Sequence, residues 1–527
     1  MTRHRILSIL LLTILIPITA ILFHNYSAFS PVFRARFSQM ATTNKSPVIV
    51  VGAGLAGLSA SYSAIQSGAS VCLLERAPKP GGNSIKASSG INGAPTHFQN
   101  VEKYGVDTSF WDDTTRSAGV RLNSASVSPT VKRQREELIT VLTNRSASAI
   151  DFLTDLGVDL SVVAQLGGHS LPRTHRGAGK TPPGASIVTT LLTKLKEQGP
   201  DRFQLVTDSE MTRLLTDSNA PKGTVKVTGV EYKNRQDGST RLLHGPVVFT
   251  TGGFAGDTHG LLAKYRPDLD GLPSTNDPRP GAHTILSDVG AKLVDMDAVQ
   301  IHPTGFVDPA NPASPLKFLA AEMLRGEGGI LLHNGKRVIN ELQTREKVSN
   351  ALMALPAKNE DLLRQWDVQL LLDPGATEAA AGHVGFYLWK GLLQKKKIAE
   401  LDETTRQTLK EYAAAVRGEK EDELGRKAFG HWRLTEEDVD EGEEEVCVGR
   451  VTPITHFTMG GAVFNTKAQI LTAELGEEQE GKEIEGLWGA GEITGGLHGD
   501  NRLGGSSLLE CVVFGRVAGE EAAKYRV

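Results

Sequence analysis

Cysteine is scarce in this chain. Its three cysteines, Cys72, Cys447 and Cys511, are scattered through 527 residues, with no CxxC pair and no CxxCH. Thiolates so far apart in sequence argue against cysteine-ligated zinc, an iron–sulfur cluster or a c-type haem, and no metal is expected. An excess of charge is missing too: 57 basic residues face 61 acidic ones, and no basic stripe stands out. That balance leaves no electrostatic footprint for nucleic acid. Long apolar runs are absent after the first two dozen residues, which excludes a polytopic membrane protein.

What is present starts with the exception. "MTRHR" precedes the uncharged "ILSILLLTILIPITAILF" at residues 6–23, a basic start and an apolar length that suit a signal peptide or signal anchor. Pro17 interrupts the run and no small-x-small site closes it. "HNYSAFSPVFRARFSQM" then adds arginine and serine without acids, a composition shared with mitochondrial presequences. Targeting to the mitochondrion or the endoplasmic reticulum is expected, with a cytosolic form as the alternative. Residues 6–23 are a candidate membrane tether.

From "SPVIVVGAGLAGLSASYSAIQSGASVCLLERAPKPGGNS" the text reads strand, glycine turn, helix, strand and loop. Gly52, Gly54 and Gly57 form GxGxxG directly after "VIVV", and Glu75 follows Gly57 by 18 residues. In that context the glycines let backbone approach a pyrophosphate at the helix N-terminus, and the acid reaches ribose hydroxyls. Ala56 in the turn and Arg76 beside Glu75 join the candidate dinucleotide contacts. Two more strand-to-glycine junctions, "GPVVFTTGGFAG" (245–256) and "IEGLWGAGEITGG" (484–496), suggest one nucleotide domain assembled from distant segments. The expected class is α/β. Residues 1–44 form the targeting segment and 45–296 the first part of a Rossmann-like domain. An α+β capping domain is inserted at 297–455, and 456–527 complete the nucleotide domain. The acidic run "EEDVDEGEEE" (436–445) reads as a solvated face.

A further glycine and hydroxyl stretch, "GGNSIKASSGINGA" (81–94), has the composition of a loop pressed onto a flat polar ring. Together with "TTGGFAG", "QIHPTG", "AAEMLRGEGG", "GKRVINELQTREKVS", "THFTMGG" and "GEITGGLHGDNRLGGSSLLECVVFGRVAG", it closely resembles the soluble FAD-dependent fumarate reductases. These include the flavin portion of flavocytochrome c and, more closely, the fungal enzymes without a haem domain. The resemblance runs in order over residues 45–527 and implies a Rossmann-like FAD-binding domain with a capping domain.

The resemblance also implies site residues. Gly82, Asn83, Ser84, Ser88, Ser89, Gly90, Gly252, Gly253, Glu492, Ser507 and Leu508 would line FAD. Arg502 and His456 would share one substrate carboxylate and His302 would donate to the other end. Arg345 matches the family's proton donor, with Glu322 and Arg325 as its relay. Fumarate accepts hydride from flavin N5 only if fixed cations meet the developing charge, and a guanidinium matches a carboxylate bidentately. Arginine is an unusual acid, since its pKa lies above roughly 12; transient donation with reprotonation through the relay answers that objection.

Residues 81–96 contain no histidine, so FAD is expected to be noncovalent. The segment 274–293 is shorter than in relatives, which puts one flavin-side contact in question. Ala321 stands where relatives carry threonine, and Phe457 where they carry histidine or tyrosine. The expected donor is NADH or free reduced FMN or FAD. Rival readings are a same-fold aspartate oxidase or succinate dehydrogenase-like enzyme, and a non-catalytic FAD-binding redox module.

Overall fold

The computed structural model describes residues 46–525 apart from 180, 222, 361–362 and 474–480. The apolar run 6–23, read as a tether, lies outside the described residues. Among those described, no helix is long and apolar enough to cross a membrane.

Short runs of valine, leucine and isoleucine build the first sheet. Its order is Gln469–Leu471, Glu483–Gly489, Val247–Phe249, Val48–Val51, Val71–Leu74, Phe203–Val206. All neighbours are parallel except the edge pair Gln469–Leu471 with Glu483–Gly489. Strands covered on both faces need unbroken apolar runs, and Val48–Val51, Val71–Leu74 and Val247–Phe249 are buried throughout. Segments from both ends of the chain thus interleave in one sheet.

The helices Leu55–Gln66 and Ser506–Lys524 pack together on this sheet through small residues. A Cβ on Gly515 would lie 2.6 Å from Ala56 O, and one on Gly519 would overlap Ala60 O. Two glycines one helical turn apart therefore set the interhelical distance.

The middle of the chain forms an antiparallel sheet around one long strand, Glu445–Thr458. It pairs with Val299–Phe306, Val368–Leu372 and Gln394–Lys397. This strand carries the cap's sheet through His456 to Thr458. Its pairing with Val299–Phe306 slips twice, between Gln300 and Ile301 and between His302 and Gly305. Such bulges re-aim side chains, and here they flank His302. A second apolar cluster packs against this sheet, including Leu324, Leu331, Val348, Leu352 and Val368 and, from before it, Phe254 and Leu261. The acidic run contains the helix Glu436–Glu441, capped reciprocally by Thr435 and Asp438. Glu443 and Glu445 pair with Lys397 and Lys395.

Candidate active site

A cavity of about 380 Å³ opens where the C-terminal ends of the first sheet's strands meet the cap. One end is built by backbone. Gly52 takes φ +102°, and a Cβ there would lie 2.5 Å from Thr250 O. The helix Leu55–Gln66 begins with no side-chain cap and no acid in its first turn. Its positive end opens onto the cavity, where Ser84 Oγ already takes the Leu55 N–H.

Each cofactor candidate named from the sequence lies on this wall except Gly57. A Cβ on Gly57 would overlap Gly52 O and sit 2.8 Å from Thr250 Oγ1. Gly57 therefore acts by letting helix and strand pack closely, not by touching a ligand. Glu75 accepts the N–H groups of Ala53 and Ala77, each at 2.8 Å. It fixes the turn and still has lone pairs for ribose hydroxyls. Thr251 Oγ1, on the same wall, is buried without a partner. Ser84 Oγ accepts Leu55 N–H at 3.2 Å, tying the 81–90 loop to the helix start. His97, just beyond that loop, stacks on Phe98 and is not on the wall.

Glu492 sits deeper. It accepts Thr458 N–H at 2.8 Å, and burial pushes its pKa up to about 7 despite that bond. It can either donate or accept near neutral pH.

The far end gathers cations. Arg345, at the start of the helix Arg345–Met353, and Arg502 both donate to Gln300 Oε1, at 3.0 and 2.9 Å. Gln300 Nε2 returns to Arg502 O at 2.8 Å, so this buried amide fixes both guanidiniums. Their surroundings then diverge. Arg345 Nε donates to Glu322 Oε2 at 2.7 Å, and Arg345 Nη2 reaches the same oxygen. Among the described residues Arg502 has no direct carboxylate partner: it donates to Leu503 O, and its buried Nε is unpartnered. Burial and the Arg345 charge push its pKa down to about 9. A bound anion would relieve both penalties.

Behind Arg345, Arg325 lies near Glu322 at 4.0 Å and donates to Glu341 O at 2.7 Å. Burial works to raise the Glu322 pKa, but the Arg345 and Arg325 charges outweigh it and hold the carboxyl below its usual range. Burial pushes the Arg325 pKa down.

His302 and His456 stand edge to face with ring centroids 5.4 Å apart. Burial first, then the Arg345 charge, keeps both well below the usual imidazole pKa, hence neutral. Thr304 N–H donates to His302 Nδ1 at 3.2 Å, which places the ring's proton on Nε2. That nitrogen is buried without a partner, a donor awaiting an acceptor. His456 Nδ1 meets Thr275 Oγ1 at 3.2 Å. Arg345, His456 and Arg502 line the cavity, whereas His302, Glu322 and Arg325 stand behind that wall.

Two departures noted in the sequence acquire physical roles. The Phe457 ring lies 4.4 Å from the Arg502 guanidinium carbon, a cation–π contact beneath the cation. Ala321 offers no hydroxyl, and its N–H is taken by Tyr387 Oη at 3.2 Å.

A family model described as "FAD binding domain" matches residues 47–508. The fumarate reductase of Schizosaccharomyces pombe is 40% identical over 502 residues, covering 92% of this chain and 90% of that protein. Fumarate reductase 1 of Saccharomyces cerevisiae is 40% identical over 507 residues, covering 91% and 99% respectively. Among solved structures, the open conformation of a flavocytochrome c3 fumarate reductase matches with a TM-score of 0.67 at 28% identity. That match covers 93% of this chain and 81% of the other.

Proposed function

The chain belongs to the FAD-binding family, and from that premise we propose that it reduces fumarate to succinate with electrons from NADH or free reduced FMN or FAD. The wall fits FAD: a glycine turn and helix start for the pyrophosphate, Glu75 for ribose, Thr251 Oγ1 without a partner among the described residues, and Glu492 deeper in the cavity. Reduced FAD held on this wall would supply hydride chemistry.

The observation that carries the reading is the asymmetry of the two arginines on one amide. Arg502, without a direct carboxylate partner among the described residues, is the residue suited to hold a substrate carboxylate, with His456 beside it; His302, expected to donate to the other end, instead stands behind the wall against the His456 ring. Such charge-assisted bonds are typically worth about 1.5 to 3 kcal/mol each. Held this way, a diacid meets positive charge where negative charge develops in the transition state. Arg345, backed by Glu322, is suited to pass a proton to the other alkene carbon and recover it through Glu322 and Arg325. Scattered cysteines that offer no haem or cluster motif support delivery of electrons by a diffusible carrier or a partner protein. The apolar run 6–23 and its basic flank support delivery to the mitochondrion or endoplasmic reticulum.

The reading is tested by anaerobic turnover with reduced FMN as donor and with fumarate, acrylate or urocanate as acceptor. Succinate from fumarate, with kcat/KM for each monoacid about a hundredfold lower, is expected from loss of one charge-paired carboxylate. Equal turnover of a monoacid, or peroxide production from aspartate, would overturn it.

A further inference from the structure

The segment 274–293, expected from the sequence to be short, forms part of the cavity wall. Thr275, Asn276, Arg279, Gly281, Thr284 and Ile285 all line the cavity. The segment is clipped across the opening: Asn83 Nδ2 donates to Asn276 Oδ1, and Lys86 pairs with Asp277 at 3.0 Å. Gly281 N–H donates to Asp257 at 3.1 Å, and Arg279 N–H to Gly256 O at 3.2 Å. Pro278 and Pro280 flank Arg279 and stiffen the backbone that presents it.

Five basic side chains line the cavity, and four have acceptors. Arg76 pairs with Glu210, Lys86 with Asp277, Arg345 with Glu322, and Arg502 donates to Gln300. Arg279, half-buried, has no polar partner for its side chain among the described residues. An added Cβ on Gly252 would lie 3.6 Å from its Nη2, and Gly252 follows Thr251, which packs on the Gly52 turn. The nearby Asp277 and Asp257 carboxylates are engaged elsewhere.

We infer that Arg279 is the side-chain clamp for the FAD pyrophosphate, closing over the phosphates opposite the Gly52–Gly54 turn. A planar guanidinium suits phosphate oxygens, and the helix end opposite supplies backbone N–H groups. This rests on FAD as the cofactor and is independent of whether fumarate is the substrate.

The test compares the wild-type holoenzyme with Arg279→Ala and Arg279→Lys. FAD is stripped and re-added, and affinity is read from quenching of flavin fluorescence, with riboflavin as a probe that lacks phosphate. Arg279→Ala should weaken FAD about ten- to hundredfold, with Arg279→Lys between. Riboflavin affinity should be unchanged in both, and rising salt should weaken wild-type FAD binding more than that of Arg279→Ala. Unchanged FAD affinity, or an equal loss for riboflavin, would overturn the assignment. A raised KM for the electron donor with FAD affinity intact would overturn it too. Absence of any flavin from wild type would instead contradict the FAD-based functional reading.

Discussion

Arg345 and Arg502 share one acceptor, Gln300 Oε1, but among the described residues only Arg345 has a carboxylate directly behind it. Arg345→Ala should lower kcat by about 10² to 10⁴ while bound FAD stays in place, because general-acid catalysis contributes on that scale. Normal turnover in this variant would remove the proton-donor role. Arg502→Ala should raise KM as well as lower kcat if, as proposed, this buried guanidinium on the cavity wall holds a substrate carboxylate. Unchanged saturation by fumarate would contradict the clamp. Gln300 was not legible as a site residue. It opens the motif "QIHPTG", but it lies 202 positions from Arg502, and the motif does not tell that its amide joins two guanidiniums. The histidines stood out only within their motifs, and the direction of His302 depends on two register slips that alternation does not reveal.

At the scale of elements, the glycine turn was legible because its chemistry is local: β-branched strand, glycines, helix and acid fall within one short stretch. The role of Gly57 was not, since its neighbours Gly52 O and Thr250 Oγ1 belong to backbone brought together by the parallel sheet. The small-residue seam of the C-terminal helix is a tertiary fact of the same kind. Gly519→Ala should destabilise the protein by about 1 to 3 kcal/mol through overpacking against Ala60, and it should raise FAD release because the same helix carries Ser507 and Leu508. Thermal melting with and without added FAD checks this. An unchanged melting temperature would mean that the helices can part without penalty.

Across the whole molecule, distant segments join in one sheet, and the helix Arg345–Met353 and the strand Glu445–Thr458 bring Arg345 and His456 to the cavity. That folding buries histidines beyond the site as well. Burial holds His169 and His175 down to about 4 and His283 down to about 3. In the unfolded chain these rings take up protons below about pH 6.5, whereas in the fold they stay neutral to the lower values. Their contribution to stability is therefore complete above pH 6.5. It declines as pH falls towards 4, by about 1.4 kcal/mol per pH unit for each ring. Melting temperature should fall steadily from pH 7 to pH 5. His283→Leu should make that slope shallower by one proton, because both ring nitrogens of His283 are buried without partners. A slope identical to wild type would contradict the buried-neutral assignment.

The most direct test of the central claim follows the bound flavin itself. Protein lacking residues 1–40 is reduced chemically without oxygen, and its flavin absorbance is recorded after adding fumarate, with aspartate and a steroid enone as controls. Rapid reoxidation by fumarate alone, slowed by at least about a hundredfold in Arg345→Ala, is the predicted result. Flavin that stays reduced with fumarate, or that reoxidises equally well with a control, would contradict the account.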